Sequence, residues 1–412
     1  IVIGLIIGAL IGLFGPKDII VIELLGTLFV NALKAVAPLL VFFLVINALS
    51  RTKLPKSMRT VIVLYVISTL CAAFTAVLAS FAFPITLTLA DPGEAEAIPS
   101  DIGEVLMTLL NNMVANPVDA LVNANYLGIL VWAIVLGIAM RYTSEATRDF
   151  FSNISHAISA IVRWVIACAP FGILGLIYTS VSENGPEIFI EYGQLLAVLL
   201  GCMFFVALVV NPLLVFLNIR KNPYPLVLRC LKDSGITAFF TRSSAANIPV
   251  NMDLCRRLGL HKDTYSVAIP LGATINMAGA AVTISVMSMA AAHTMGIDIN
   301  PVTAAILCVL AAVSACGASG VAGGSLMLIP LCCSLFGIGN DVAMQVVGIG
   351  FVIGVIQDSV ETAINSSSDA LFSATADYKE RRKAGVDFKP GKDSPEWKSL
   401  ETANAEASSD AA

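Results

Sequence analysis

Long apolar runs separated by short polar segments fill most of this chain, and the runs have the length of membrane-crossing helices. An α-helix needs roughly 20 apolar residues to cross a bilayer. Candidate runs lie near residues 1 to 15, 20 to 50, 60 to 90, 105 to 141, 153 to 180, 191 to 219, 264 to 296 and 342 to 376. The pattern predicts an all-α polytopic membrane protein with eight transmembrane helices, of which the first, at 1–15, is truncated.

The polar segments between the runs alternate in charge. Lys and Arg mark cytoplasmic loops, and they follow the second, fourth and sixth runs at Arg51, Lys53, Lys56, Arg59, Arg141, Arg148, Arg220, Lys221 and Arg229. The intervening loops at 91–104 and 180–193 carry acids and neither Lys nor Arg. Sidedness therefore alternates without a violation as far as span six.

Two further apolar segments are too short to cross, and we interpret them as re-entrant helical hairpins at 223–252 and 301–338. The first is followed by Arg256, Arg257 and Lys262, which stay on the basic side only if the segment dips into the membrane and returns. The second has two short apolar arms around GASGVAGGS at 317–325. Irregular backbone at membrane depth is tolerated where protein buries it or it lines a cavity. Two opposed hairpin tips therefore predict a central polar site.

The last apolar run carries a polar stripe. Asp358, Glu361, Thr362, Asn365 and Asp369 stand at relative positions 0, 3, 4, 7 and 11, which is one face of a helix. A charge at mid-membrane costs at least ~2.5 kcal/mol, so three acids on one stripe are candidates for function. No basic residue lies between Asp341 and Lys379 in this span. The available cations are Arg242 in the first hairpin, a bound ammonium group and bound sodium ions.

Span seven contains LGATINMAGAAVTI at 271–284. Thr274 and Asn276, with the small residues around Gly272 and Gly279, could interrupt the helix and expose carbonyl oxygens, which suit a hard cation. A small-residue packing face with polar interhelical bonds is the alternative interpretation.

Composition excludes several classes of protein. Hydrophobic residues make up 57% of the 412 positions and charged residues 13%, against about 25% in soluble domains. The net charge of −5 gives no basic surface for nucleic acid, so no nucleic-acid partner is expected. The chain has no CxxC, no HExxH and no GxxxxGK[ST], so we expect neither an enzyme nor a nucleotide or redox cofactor. A cation channel remains open on composition.

The motifs together identify a family. TRSSAANIP at 241–249, GATINMAG at 272–279, ASGVAGG at 318–324 and the acidic last span resemble the dicarboxylate/amino acid:cation symporter family, which has the glutamate-transporter fold. The resemblance covers the chain up to about residue 378. It implies inverted repeats, a homotrimer working by an elevator mechanism, and a multi-pass location in the bacterial inner (plasma) membrane.

The resemblance also implies a division of the chain. A scaffold would comprise 1–50 and 105–180, and a transport domain 60–90 and 191–376. The remaining residues, 377–412, would be a polar cytoplasmic tail, since 15 of the 53 Asp, Glu, Lys and Arg residues fall there.

The family pattern assigns site residues. It places the substrate at Arg242, Ser243, Ser244, Val321, Gly323, Asp358, Glu361, Thr362 and Asn365. It places sodium at Gly272, Asn276, Asn365 and Asp369, and a second sodium at Thr274 with the second hairpin tip, including Ser319. Within these sets, Ser243 and Ser244 would meet the substrate carboxylate and amino group, and Asp358 would bind the amino group.

Departures from the family pattern narrow the substrate. Relatives that carry acidic amino acids have an arginine where this chain has Glu361, so an acidic side chain would meet like charge. We therefore predict sodium-coupled import of serine, threonine and similar small neutral amino acids. A symporter of acidic amino acids or dicarboxylates, with Arg242 reading the second carboxylate, is the alternative, and a cation channel is the more remote one.

Three further departures concern the ion sites and the second hairpin. Where the family has the motif NMDGT, this chain has Ala278 in place of the Asp and Ala280 in place of the Thr. The loss of the Asp removes the carboxylate of a third sodium site. Ala322 replaces a proline at the second hairpin tip.

Overall fold

The computed structural model describes residues 2–16, 19–50, 58–89, 107, 110, 111, 113–318 and 323–395, and within these ranges it contains helices and no strand. The helices are α1 (Val2–Phe14), α2 (Ile20–Ser50), α3 (Arg59–Ala82), α4 (Pro117–Val122), α5 (Tyr126–Ala139), α6 (Glu145–Ala167), α7 (Ala169–Asn184), α8 (Ile188–Phe205), α9 (Asn211–Ile219), α10 (Tyr224–Cys230), α11 (Ile236–Thr241), α12 (Ile248–Arg257), α13 (Lys262–Ile275), α14 (Ala278–Thr294), α15 (Pro301–Ala315), α16 (Ile329–Ser334) and α17 (Asn340–Lys383). Short π-helical stretches, Val206–Val210 and Leu231–Gly235, join α8 to α9 and α10 to α11.

Helix length and surface chemistry fit a bilayer. Within the described ranges, six helical stretches are long and apolar enough to cross a membrane: Ile20–Asn47, Arg59–Ala82, Glu145–Ala167, Ile188–Ile219, Lys262–Thr294 and Asn340–Lys383. Large apolar side chains such as Phe74, Phe204 and Leu213 are about half exposed on them, a surface that water would disfavour and lipid accommodates. The prediction of an all-helical polytopic membrane protein is confirmed.

The fifth predicted span is two helices. The structure ends α6 at Ala167 and starts α7 at Ala169, with Cys168 between them. Pro170 lies in the first turn of α7, where its missing N–H leaves no helical bond unmade and its fixed φ suits the start of a helix. The apolar run predicted near 153–180 is therefore divided between two helices.

The described part of the fourth predicted span, 105–141, is also interrupted. Asn116 caps α4 by accepting bonds from the N–H groups of Val118 and Asp119, and Asn125 caps α5 through the N–H of Gly128. Asparagine side chains at these positions start new helices because they satisfy amide groups that have no partner in the first turn.

Helix α1 packs backbone to backbone on α7. A Cβ atom on Gly4 would lie 2.1 Å from the carbonyl oxygen of Pro170, and one on Gly8 would lie 2.5 Å from that of Leu174. The small-xxx-small spacing of these glycines permits the close approach. Helix α2 packs against α5, α6 and α7, which assembles these helices into one unit.

Helices α14 and α17 occupy the interior. Every residue of α14 from Ala278 to Ala292 is buried, and the helix contacts α3, α15 and α17. Helix α17 runs on to Lys383, past the predicted boundary at 376. A hydrogen bond supports these last turns, since Arg381 Nε donates to Asp377 Oδ1 one turn earlier at 2.6 Å. Because α17 lies in the interior, its polar residues lie against neighbouring helices such as α14.

Both segments that the sequence predicts to be hairpins contact α17. In the first, α10 and α11 lead through a turn at 242–247 into α12, and both α11 and α12 contact α17. In the second, α15 leads towards α16 through a segment of which 319–322 lies outside the described residues, and α16 contacts α17.

Candidate functional site

Asp358 is where groups from both predicted hairpins meet. It is buried on α17, and its Oδ1 atom accepts a hydrogen bond from the backbone N–H of Gly323 at 3.2 Å. Arg242, which ends α11 in a left-handed conformation with φ 48°, interacts electrostatically with this carboxylate. The structure therefore brings together three of the predicted substrate residues, one from each hairpin and one from α17.

The first hairpin tip is held against α17 by amides. Asn247 Nδ2 donates to Ser234 Oγ at 2.8 Å and to Ser366 Oγ on α17 at 2.9 Å, and Asn251 Nδ2 donates to the carbonyl oxygen of Ser366 at 2.9 Å. Ser244 is buried in the turn, and Ser243 is half-buried. The anchoring of the turn leaves both serines beside the end of α11.

The sequence motifs do not predict that Ser234, Asn251 and Ser366 take part in this hydrogen-bond network. The available signal was the spacing of Asn247 and Asn251, four residues apart in a short apolar arm, which puts both amides on one helix face.

The helix break in span seven is present. Helix α13 ends at Ile275 and α14 starts at Ala278, with Asn276 and Met277 in non-helical conformations. Asn276 Nδ2 donates to Asp369 Oδ1 at 2.9 Å, to Ser368 Oγ at 2.7 Å and to the carbonyl oxygen of Asn365 at 3.2 Å. The break and the end of the polar stripe therefore form one buried cluster.

This cluster has the properties of a cation site. Asp369 Oδ2 and Asn276 Oδ1 are both buried and have no hydrogen-bond partner within the described residues. A Cβ atom on Gly272 would lie 2.5 Å from Asp369 Oδ1, so glycine is required for this close approach. Unpartnered buried acceptors are rare, and oxygen ligands of this kind suit a small hard cation. The residues present fit sodium.

Other predicted site residues make bonds within the protein. Asn365 Oδ1 accepts from the N–H of Gly279 at 2.7 Å, and Thr362 Oγ1 donates to the carbonyl oxygen of Asp358 at 2.7 Å. Thr274 Oγ1 donates within its own helix, to the carbonyl oxygen of Leu271 at 2.8 Å. Its assignment to a second sodium site stays a prediction. Ser319 and Val321, which the same pattern assigns to the second hairpin tip, lie outside the described residues.

Glu361 is buried and hydrogen-bonded within the protein. Its Oε2 atom accepts bonds from Thr283 on α14, Gln357 on α17 and Ser325 beyond the second hairpin tip. The sequence motifs do not predict these three hydrogen-bond partners of Glu361. Gln357 was detectable as a further polar residue in the apolar run, one turn before Glu361.

Comparisons with known proteins find a matching family model and two similar proteins. A family model described as the sodium:dicarboxylate symporter family matches residues 1–378. Two curated relatives, one from each of two strains of Streptococcus thermophilus, are 58% identical to this chain over 387 residues. Both are named serine/threonine transporter SstT. Each match covers 93% of this chain and 96% of the relative.

Proposed function

The chain belongs to the sodium:dicarboxylate symporter family, and from this premise we propose that it is a secondary transporter that imports serine, threonine and similar small neutral amino acids together with sodium. The observation that carries the proposal is the setting of Asp358: a buried carboxylate that accepts a hydrogen bond from the Gly323 amide of one predicted hairpin and lies within electrostatic range of Arg242 of the other. An α-amino acid carries the complementary charges, an ammonium group for Asp358 and a carboxylate for Arg242 and the serines of the first tip.

Two residues of α17 suit a neutral substrate side chain. Glu361 adds a second negative charge one turn along α17, so an acidic substrate side chain would be repelled. Thr362 donates its proton to the backbone and keeps an oxygen that accepts, which suits a substrate hydroxyl. This is the site chemistry that favours serine and threonine over aspartate.

Sodium would be bound at the cluster of Gly272, Asn276, Asn365 and Asp369. A cation there neutralises the Asp369 carboxylate and satisfies its unpartnered oxygen. Since Asn276 forms the break of span seven and Asn365 lies between Asp358 and Asp369, ion binding orders residues that adjoin the substrate site. Coupling then arises from differential affinity: each ligand binds best to the arrangement the other favours.

The proposal extends to architecture. The chain has eight transmembrane helices and two re-entrant hairpins in inverted repeats. A scaffold of 1–50 and 105–180 carries a moving transport domain of 60–90 and 191–376 by an elevator motion within a homotrimer. The protein lies in the bacterial inner membrane with its C-terminus cytoplasmic.

Uptake by the purified full chain in proteoliposomes tests the function. Radiolabelled serine should accumulate under an inward sodium gradient, saturate with serine concentration, and fail to accumulate when potassium replaces sodium. Sodium-dependent uptake of aspartate in preference to serine would favour the acidic-substrate alternative. Cation conductance without saturable uptake would favour the channel.

A further inference from the structure

The carboxylate of Glu361 is the hub of a buried polar cluster that joins three elements. Its Oε2 atom accepts from Thr283 Oγ1 at 2.6 Å, from Gln357 Nε2 at 2.6 Å and from Ser325 Oγ at 2.9 Å. Thr283, Gln357 and Ser325 are each almost completely inaccessible to solvent, at 1% exposure or less. Three polar side chains thus converge on one carboxylate oxygen, which can accept a bond from each.

Close packing fixes the position of this hub. A Cβ atom on Gly279 would lie 2.9 Å from the carbonyl oxygen of Glu361 and 3.0 Å from its Cα atom. The first turn of α14 therefore lies directly against α17 at Glu361.

The bond to Ser325 has a different consequence, because Ser325 belongs to the second hairpin. Two residues before it, the N–H of Gly323 donates to Asp358. Two carboxylates one turn apart on α17 thus hold two points of the same short segment, 323–325. Asp358 is the one proposed to bind the substrate amino group, whereas Oε2 of Glu361 is occupied by protein donors.

We propose that Glu361 is a positioning residue for transport: through Ser325 it holds the Gly323–Ser325 segment in the arrangement that meets the substrate at Asp358. The inference rests on the proposed function. It differs from exclusion of acidic substrates by charge, because positioning requires the Ser325 hydroxyl and charge repulsion does not. Losing the bond lowers the population of the binding-competent arrangement and raises the apparent KM in proportion.

Four variants in the full chain separate the two roles. Ser325→Ala removes the donor and leaves the Glu361 charge, and Glu361→Gln removes the charge and keeps the shape. Ser325→Thr restores a hydroxyl. Ser334→Ala is the matched control, since that hydroxyl on α16 bonds only within its own helix in the described contacts, to the carbonyl oxygen of Leu331 at 2.7 Å.

Serine KM and maximal uptake rate are measured for each variant in proteoliposomes, together with inhibition by aspartate. Losing a hydrogen bond to a buried charge should raise the KM of Ser325→Ala about tenfold, with a smaller change in maximal rate. Ser325→Thr should recover most of the affinity, and Ser334→Ala should match wild type. Ser325→Ala should still exclude aspartate.

The outcomes decide between the explanations. A wild-type serine KM in Ser325→Ala overturns the inference, even if Glu361→Gln changes aspartate inhibition, because Glu361 then acts by charge alone. A raised KM that Ser325→Thr does not reverse also overturns it. A wild-type protein that takes up no serine at all would instead contradict the proposed function on which the inference rests.

Discussion

Asp358 and Glu361 are neighbours on one helix but have different surroundings. Asp358 accepts one backbone bond and lies within the field of Arg242. Glu361 accepts three bonds from side chains that belong to the protein interior. A carboxylate with spare acceptor capacity is suited to an incoming ammonium group, and one whose Oε2 atom already accepts three bonds from the protein is suited to holding the fold around it.

Asp358→Asn should reduce substrate affinity sharply. The amide keeps the shape and removes the charge that the substrate ammonium requires, at a cost of about 2 to 3 kcal/mol, or roughly 30- to 150-fold in KM for serine. The KM from initial uptake rates is the measurement, and Asp298→Asn, in an exposed loop, is the matched control. Wild-type affinity in Asp358→Asn would refute the assignment.

Substrate charge should decide competition. An excess of unlabelled threonine or alanine should suppress uptake of labelled serine, and aspartate or glutamate should have little effect, since their side chains would meet Glu361 in a poorly screened site. Inhibition by aspartate that equals inhibition by threonine would contradict this role of Glu361 and support the acidic-substrate alternative.

At the residue scale, the sequence predicts which side chains share the face of α17 but not what they bind. Residues 358 to 369 are read as one stripe because helical spacing alone determines their face, and Asp358, Asn365 and Asp369 are all buried as expected. Thr283 stands 78 residues from Glu361 in the chain. Such a partner depends on how α14 and α17 are aligned, which no local pattern specifies.

At the scale of elements, the segment 384–395 forms a strap that is absent from the family match. Phe388 is buried and stacks on Tyr378 near the end of α17, with ring centres 4.8 Å apart. Lys221 Nζ lies over the Phe388 ring and donates to its carbonyl oxygen at 2.8 Å. Ser394 Oγ donates to the carbonyl oxygen of Leu258, just beyond α12. The strap therefore ties the base of the first hairpin to the end of α17.

Phe388→Ala should lower thermal stability in detergent. Removing a buried, stacked ring costs about 3 to 5 kcal/mol in well-packed interiors, so a clear drop in melting temperature is expected. Phe240→Ala, which removes a ring that is 77% exposed on α11, should melt like wild type. Equal melting temperatures for all three proteins would show that the strap adds nothing to stability.

The ionic part of the strap should respond to pH only under acid conditions. The hydrogen bond from Lys221 lowers the pKa of Asp387. The folded pKa therefore lies below the unfolded value of about 3.9. The stabilisation is complete above that unfolded value and is lost as pH falls through the folded one. Asp387→Asn, which removes this ionic bond, should hence change the melting temperature by the same amount throughout the range from about pH 6 to 8.

Sequence predicts elements well where a polar or small residue interrupts an apolar run and poorly where the run continues. The break at Asn276 is expected from its neighbours Gly272 and Thr274. The break at Cys168 lies among apolar residues, and Pro170 alone could have indicated it. The strap lies in a segment read as a polar tail, where one phenylalanine was the only apolar aromatic signal among the described residues 384–395.

For the whole molecule, the proposed scaffold and transport domain are joined by a contact that motion would break. Lys34 of α2 pairs with Asp341 at the start of α17. The Asp341 side chain is 84% exposed, so the pair contributes about 0 to 1 kcal/mol. Apolar packing also joins the two units, since the Phe29 ring of α2 meets the Phe351 ring of α17 edge-on with ring centres 5.4 Å apart. An elevator motion would therefore break apolar contacts as well as this pair. The division into two units itself stays a prediction.

The number of sodium ions per substrate follows from one missing carboxylate. Ala278 is fully buried where the family motif has an acid. The family resemblance pairs that acid with the hydroxyls of Ser68 and Thr69, which here are bonded within the protein: Ser68 Oγ donates to Asn211 Oδ1 and Thr69 Oγ1 to the carbonyl oxygen of Tyr65, each at 2.8 Å. A desolvated cation held by neutral oxygens alone lacks the compensating charge it normally needs. A third sodium site is therefore not expected, and the coupling ratio should be one or two.

The voltage that abolishes net serine flux in proteoliposomes measures this ratio. With fixed sodium and serine gradients, each additional coupled sodium shifts the null voltage by a calculable amount, independently of rate or expression. The wild-type null voltage should correspond to one or two sodium ions. Ala278→Asp restores the acid of the family motif and should raise the number of coupled sodium ions by one. A wild-type null voltage that requires three sodium ions would mean that another buried acid compensates the third cation. Glu361 would be the first to examine, because Gly279 in the first turn of α14 lies directly against it.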